Sequence, residues 1–304
     1  MGGGNHGPSP RIETMPMPRG SRALVATAVV AAATMSVSPC AADEELRWRD
    51  QWAHAEAIDY AVAVTFGIFT LIAHTMPVAE ADWERVAFDE GARDVLRFGS
   101  SQAREASRAV SDAMFYGSIA YPVVDALVAL PRDREVGWQM LVVDLETLAL
   151  AGFTAVLLEH TTGRERPYAR YCHRPGGPAP EHRDDCNASA TKEENKSFPS
   201  GHALMSFAGA GLSCAHHLRV PLYGGGAPDR IACGVAVGAA AMQGLLRITG
   251  DRHYVSDVLV GGALGFAMGY GLPLALRYNR PREREIPASS AQSAVTVPVF
   301  ASSF

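Results

Sequence analysis

The chain has 304 residues, of which 48% are hydrophobic, so it can hold one large domain or two small ones. Its formal net charge of -5 says little about partners, but the chain has no basic run with interleaved aromatic residues, and nucleic-acid binding is not expected. Gly and Ala are abundant while alternating β-branched residues are scarce, and this balance favours helices over sheet.

The N-terminus has the pattern of an export segment. Two arginines precede an apolar run over residues 23–37, and the small residues Cys40 and Ala42 suit cleavage just after them. We therefore expect residues 1–42 to be a signal peptide or an uncleaved N-terminal anchor.

Six apolar stretches follow, each near the length of about 20 residues that crosses a bilayer. They cover approximately residues 58–76, 113–130, 136–158, 198–218, 231–248 and 255–276. The predicted fold is all-α: a bundle of about six apolar helices, embedded in the membrane, with the polar motifs at helix ends on one side.

The rest of the chain is assigned around this bundle. Residues 43–110 form a predicted N-terminal helical region, and Trp48 and Trp52 in its first part indicate an amphipathic or interfacial helix. Residues 111–278 form the helical core. Residues 279–304 are predicted to be a disordered tail, because they are rich in Arg and Glu and then in Ser and Ala.

Membrane topology leaves two alternatives open. Asp125, Asp144 and Glu146 lie inside apolar stretches, where ionisable groups are costly unless they face a polar interior. If cleavage delivers residue 43 to the outside, six crossings would turn the motifs towards the cytoplasm. We expect a cell-membrane protein with an outward, periplasmic site, and this orientation is possible if the first stretch only lies on the membrane. A soluble periplasmic or secreted protein is the alternative.

Four cysteines are placed by their surroundings. Cys172 and Cys186 flank a long polar loop and could close it as a disulfide in an oxidising compartment. They could instead bind metal with two neighbouring histidines, although the spacing matches no standard zinc pattern. Cys214 and Cys233 lie in apolar stretches and are predicted to be small core residues.

The last of three polar motifs pairs a histidine with a carboxylate. His253 and Asp257 are four residues apart, so a helix starting near His253 puts both on one face. The carboxylate can then hold one ring nitrogen and leave the other as a nucleophile or base. Arg247 precedes them, and Gly250 allows a turn between. A polar helix start with a solvated aspartate is the plainer interpretation.

The central motif has Pro199 and Gly201 on either side of Ser200, at a predicted helix start. Helix N-termini attract anions through free amides and the positive end of the dipole, and a serine hydroxyl adds a donor. His202, in the first turn, is placed to protonate a leaving oxygen. Alternatively Ser200 is a simple N-cap and His202 is incidental.

The first motif ends the third apolar stretch. Arg164 and Arg166 precede Pro167 there, and the planar guanidinium of Arg166 suits a bidentate grip on phosphate oxygens. A solvated basic loop would show the same residues.

In this order, each at the end of an apolar helix, the motifs resemble the signature of the type 2 phosphatidic acid phosphatases. That family is related to bacterial class A acid phosphatases and vanadium haloperoxidases. Its signature is Lys, six residues, Arg-Pro; then Pro-Ser-Gly-His; then Ser-Arg, five residues, His, three residues, Asp. The resemblance covers about residues 110–276. The matching residues are Arg166, Pro167, Pro199, Ser200, Gly201, His202, Arg247, His253 and Asp257.

Two positions depart from this signature. Leu246 replaces the serine before the last arginine, and Glu159 replaces the lysine, which puts an acid where the family has a phosphate-binding cation. Arg164, Lys192 or Lys196 could supply the missing charge.

The resemblance implies a mechanism without metal or other cofactor. His253 attacks phosphorus and forms a phosphohistidine, Asp257 orients His253, and His202 protonates the leaving alkoxide and then activates water. Vanadate would occupy the same anion cradle as an inhibitor. The groups that hold the equatorial oxygens are Arg166, Arg247, Ser200 and Gly201, with Arg164 as a further candidate.

The leading hypothesis is therefore a metal-independent phosphatase acting on a phosphate monoester or pyrophosphate of a lipid, such as a diacylglycerol phosphate or polyprenyl pyrophosphate. A soluble exported acid phosphatase of broad specificity is a second hypothesis. Vanadate-dependent halide oxidation fits less well, because such enzymes are usually longer. A third class is a non-catalytic anion- or lipid-binding membrane protein with a degenerate site. Nothing in the residues predicts an oligomeric state.

Overall fold

The computed structural model describes residues 45–84, 86–173, 177, 186 and 193–279, and every regular element among them is a helix. The α-helices are α1 (Ala57–Ala73), α2 (Ala87–Leu96), α3 (Ser101–Ala129), α4 (Arg134–Thr162), α5 (Gly201–His217), α6 (Ala227–Thr249) and α7 (Val255–Pro273). A 3-10 turn, Ala169–Tyr171, follows α4, and a π-helical turn, Leu274–Tyr278, continues α7. The all-α prediction is confirmed.

All six predicted apolar stretches are helical, as α1 and α3 to α7. Among the described residues, three segments are long and apolar enough to cross a membrane: α4, α6, and α7 together with its π-helical turn. Exposed apolar side chains such as Val64, Val235 and Leu259 cover the outer faces of α1, α6 and α7. These features agree with a membrane-embedded helical bundle.

Helix α5 lies at the centre of the bundle and contacts α3, α4, α6 and α7. Its closest partner is α7, because Gly261, Gly265 and Gly269 form a stripe at a spacing of four residues against it. A Cβ atom at any of the three would collide with the α5 backbone. The two helix starts are joined as well, since the Ser200 amide donates to the Asp257 carbonyl oxygen at 3.0 Å.

Local sequence sets where the helices begin and end. The Asp133 carboxylate accepts from the Val136 amide at 2.9 Å and begins α4. Gly163 ends α4 with φ of 64°, in the left-handed region that favours glycine. A Cβ atom there would also lie 2.6 Å from the Ala79 carbonyl oxygen. The chain therefore turns sharply into the first motif.

The helix predicted around the two N-terminal tryptophans is not formed. Residues 45–56 are irregular, and the rings of Trp48 and Trp52 lie 5.4 and 4.8 Å from the ring of Tyr278. The tryptophans are buried in the protein, where they gain aromatic contacts, rather than lying at a membrane interface.

The structure contains two disulfides among its described cysteines. Cys172 and Cys186, the predicted pair, are joined with a Cα–Cα distance of 5.5 Å. Cys214 and Cys233 are also joined, which corrects their assignment as separate core residues. They face each other because α5 and α6 approach closely over small residues, including Ala240.

Several predictions fall on other parts of the chain. The signal peptide or anchor over residues 1–42, the tail beyond residue 279 and Lys192 all lie outside the described residues.

Candidate active site

The three motifs meet at one end of the bundle. The first follows the C-terminus of α4, the second begins α5, and the third spans the end of α6, a short loop and the start of α7. Because α4 and α6 end where α5 and α7 begin, their polar ends come together, as predicted.

His253 is buried at this end, with 1% of its surface exposed. Its Nδ1 lies 2.8 Å from the Ser197 carbonyl oxygen, so Nδ1 carries the proton and Nε2 is unprotonated in the neutral ring. The Nε2 atom is buried and has no hydrogen-bond partner among the described residues. Burial lowers the pKa of His253 well below its ordinary value, and the charges of Arg166 and Arg247 lower it further. A neutral imidazole with an open nitrogen is suited to nucleophilic attack.

Asp257 holds His253 indirectly. Its Oδ2 lies 3.9 Å from His253 Nδ1, too far for a hydrogen bond. That oxygen instead accepts from the Ser197 hydroxyl at 2.7 Å and the Tyr254 amide at 2.8 Å. The predicted direct bond is thus replaced by Ser197, whose carbonyl faces the imidazole and whose hydroxyl faces the carboxylate.

Two arginines supply the buried positive charge. Arg166 and Arg247 are 5% and 4% exposed, and the positive charge of each lowers the pKa of His253. Arg247 donates from Nη1 to Asp112 at 2.7 Å, while its Nε is buried and has no partner within the described chain. Arg166 is anchored by a 3.3 Å bond from Nε to the Lys196 carbonyl oxygen. These guanidinium groups are placed to hold an anion beside His253.

Arg164 is engaged differently from the phosphate contact predicted for it. Its guanidinium donates to the carboxylates of Asp257 and Asp89 and to the Ser256 hydroxyl. Both of its Nη groups therefore bind Asp257 or residues next to it.

The predicted amide of the anion cradle is already occupied. The Gly201 amide donates to Glu159 Oε1 at 3.0 Å, so the acid at the signature's lysine position sits where a phosphate oxygen was predicted. The Ser200 hydroxyl accepts from the Ala203 amide at 3.3 Å and caps α5. Among the cations predicted to replace the signature lysine, Lys196 lies close enough to Glu159 for the two charges to attract each other.

His202 has a partner that sequence reasoning missed. Its Nε2 lies 3.1 Å from Asp112 Oδ1, and its ring centroid is 4.6 Å from that of Phe115. Asp112 thus contacts both His202 and Arg247, although it comes from α3. Asp112 belongs to no sequence motif that could have predicted its role. Ser197 lies next to the central motif, and this position was a weak indication that it belongs to the site.

Part of this chain is similar in sequence to known proteins. Residues 141–281 match the model of the PAP2 superfamily. A lipid A 1-phosphatase from Porphyromonas gingivalis is 32% identical over 139 residues, which is 45% of this chain and 24% of that relative. The chain thus spans about a quarter of the length of the curated relative it matches.

One solved structure also aligns with the model. It is a transmembrane PAP2-type phosphatidylglycerolphosphate phosphatase from Bacillus subtilis, with 15% identity and a TM-score of 0.43, and the alignment covers 71% of this chain and 94% of the other.

Proposed function

We propose that this chain, whose residues 141–281 match the model of the PAP2 superfamily, is a membrane phosphatase that hydrolyses a phosphate monoester or pyrophosphate of a lipid. The observation that carries the proposal is the state of His253. Its imidazole is buried, fixed through Nδ1, open at Nε2 and flanked by two buried arginines. This is the arrangement that a nucleophile for phosphorus needs.

The proposed reaction has two steps. His253 Nε2 attacks phosphorus, the bond from phosphorus to the leaving oxygen breaks, and His202 gives that oxygen a proton. Water then attacks the phosphohistidine, His202 accepts a proton from it, and the bond from phosphorus to nitrogen breaks to release phosphate. The charge on the equatorial oxygens is held by Arg166 and Arg247.

Metal independence is part of the proposal. In many phosphatases metal ions neutralise the phosphoryl charge, whereas here buried guanidinium groups stand in that position. Vanadate, which has the same shape and charge as the transferred group, is expected to bind there as an inhibitor.

A lipid substrate and an outward site are supported by separate features. The proposed site lies at one end of long apolar helices, which supports a position near a membrane surface, and the matching relative is by name a lipid A 1-phosphatase. The disulfide between Cys172 and Cys186, beside the motif region, favours an oxidising compartment on that side and hence a periplasmic site.

The test is phosphate release by detergent-extracted protein in the presence of a metal chelator. Phosphatidic acid, polyprenyl pyrophosphate and p-nitrophenyl phosphate are compared, and acid-labile phosphoenzyme is trapped in parallel. We expect release and trapping by the wild type and by His54→Ala, and neither by His253→Ala. His54 is a matched control because it pairs with Glu135 at the opposite end of α4. Phosphoenzyme that survives in His253→Ala would rule out the proposed nucleophile.

A second candidate is favoured by one contact. The Glu159 carboxylate occupies the Gly201 amide, which would suit an anion- or lipid-binding protein whose site no longer turns over. Vanadate binding by a wild type that releases no phosphate from any of the three substrates would select this function.

A further inference from the structure

We infer that helix α2 holds the loop carrying His253 in its reactive geometry, with Asp89 and Arg93 as positioning residues. The inference rests on the proposed function and adds residues to the same site. Helix α2 precedes residues 141–281, the segment that matches the PAP2 model.

The first anchor lies just before His253. Asp251 is buried and has φ of 61°, a conformation that few residues other than glycine adopt. Its carboxylate takes two bonds of 2.6 Å from Arg93, through Nε and Nη2, and one of 2.7 Å from Arg97 Nε. Although burial alone would raise the pKa of Asp251, the bonds and charge of Arg93 lower it. Arg93 of α2 and Arg97, the residue that follows the helix, therefore hold a strained turn two residues from the nucleophile.

The second anchor lies just after His253. Asp89 is 1% exposed, and it accepts from the Ser256 amide at 2.9 Å and the Ser256 hydroxyl at 2.6 Å. It also accepts from Arg164 Nη2 at 2.7 Å, and Arg164 Nη1 in turn donates to Asp257. Asp89 thus caps the start of α7 and, through Arg164, fixes the carboxylate of Asp257.

The two anchors act on the loop from one surface. Asp89 and Arg93 are four residues apart on α2 and share a face, and His253 lies between the residues that they bind. An error of about 1 Å in the position of a reacting group can lower a rate by about 10²-fold. Because α2 binds residues before and after His253, it can set the rate of the chemical step without touching the substrate.

A purely structural role for α2 makes a different prediction. Loss of Asp89 would then reduce the amount of folded protein but leave the turnover of each folded molecule unchanged. A positioning role lowers kcat while the cradle formed by Arg166 and Arg247 keeps its affinity for anions.

The experiment uses the full chain with Asp89→Asn, which removes one charge and keeps the side-chain shape. Asp94→Asn is the matched control, because Asp94 is exposed on the same helix. We measure kcat and KM with p-nitrophenyl phosphate, inhibition by vanadate, and hydrogen exchange over residues 250–257. For Asp89→Asn we expect kcat to fall by about 10²-fold, vanadate inhibition to stay unchanged and exchange over the loop to rise. Asp94→Asn should match the wild type in all of these.

Unchanged kcat per folded molecule, or an equal effect in Asp94→Asn, would overturn the inference. If Asp89→Asn does not fold, Ser256→Ala decides instead: it removes the hydroxyl that binds Asp89, and an unaltered kcat there also overturns the inference. A wild type without hydrolysis would count against the proposed function alone. Exchange over residues 250–257 would then still decide whether α2 holds the loop.

Discussion

Both ends of the helical bundle hold buried histidines next to carboxylates, yet the hydrogen bonding differs. At the end away from the motifs, His216 bonds Asp144 through Nε2 and Tyr278 through Nδ1, both at 2.7 Å. His217 beside it bonds Asp125 and Asp229, at 3.1 and 2.6 Å. Every ring nitrogen of this pair is satisfied.

At the motif end, His253 and His160 each keep one buried ring nitrogen without a partner among the described residues. His253 is as buried as the distant pair, but only its Nδ1 has a partner among the described residues. An unsatisfied buried polar atom costs free energy, and a bound phosphoryl group would use it. The comparison teaches that burial and a nearby aspartate do not set His253 apart from the structural histidines. His253 combines an open nitrogen with the charges of two buried arginines, Arg166 and Arg247, a combination that His160 lacks.

The largest effect is expected when one histidine at each end of the bundle is replaced, which tests the comparison directly. His253→Ala should lower kcat/KM by at least about 10⁴-fold, because it removes the nucleophile. His216→Ala should leave kcat of the folded enzyme unchanged but destabilise it by about 3–5 kcal/mol, because Asp144 loses its buried partner. Hydrolysis assays and unfolding in detergent measure the two quantities.

A double variant serves as the control for the stability arm. Replacing both His216 and its partner Asp144 with leucine should recover much of the lost stability, because no uncompensated polar group of this ion pair remains. If His216→Ala instead lowered kcat and left unfolding unchanged, the assignment of that end as structural would be wrong.

The next effect concerns Glu159 and the strength of the anion cradle. Glu159→Lys removes the carboxylate from the Gly201 amide and restores a cation, so vanadate inhibition should tighten by about tenfold, or about 1.4 kcal/mol. Glu159→Gln separates charge from hydrogen bonding and should give a smaller gain in the same direction. Identical inhibition of all three proteins would show that Glu159 does not act on the anion.

The smallest expected effect is a shift of the acid limb of the activity profile towards lower pH. In the proposed reaction neutral His253 attacks phosphorus, and its pKa is lowered, first by burial and then by the charges of Arg166 and Arg247. Activity should therefore persist below the ordinary histidine pKa of about 6.5 and disappear only as pH falls through the lowered value. The acid limb of kcat/KM against pH measures this displacement. A limb at or above the ordinary value would contradict it.

The same histidine links pH to stability. Its folded-state pKa lies below its unfolded value, so the unfolded chain binds the extra proton first. The contribution to stability is complete above the unfolded pKa and is lost as pH falls through the folded pKa.

Much of the fold was predictable because bilayer length and apolar composition act locally. The six apolar stretches, the helix starts and the meeting of the motifs all follow from residues close together in the chain. The irregular segment around Trp48 did not follow, because its rings pack on Tyr278, far away in sequence. The bond between Cys214 and Cys233 likewise depends on how closely two helices approach.

The residues of the site also divide into those that local sequence predicts and those that only tertiary contacts reveal. His202, His253, Arg166 and Arg247 carry the motif spacing and were predictable, whereas the partner of each depends on tertiary contacts. Asp112 contributes from α3 without any local signal.

The glycine stripe on α7 gives the site a fixed frame. Because Gly261, Gly265 and Gly269 bring main chain against main chain, the separation of Ser200 from Asp257 does not depend on side-chain rotamers. The loops around the site could therefore change in sequence while Ser200 and Asp257 keep their spacing. A change in what the site binds would then not require a change in the frame that holds these two residues.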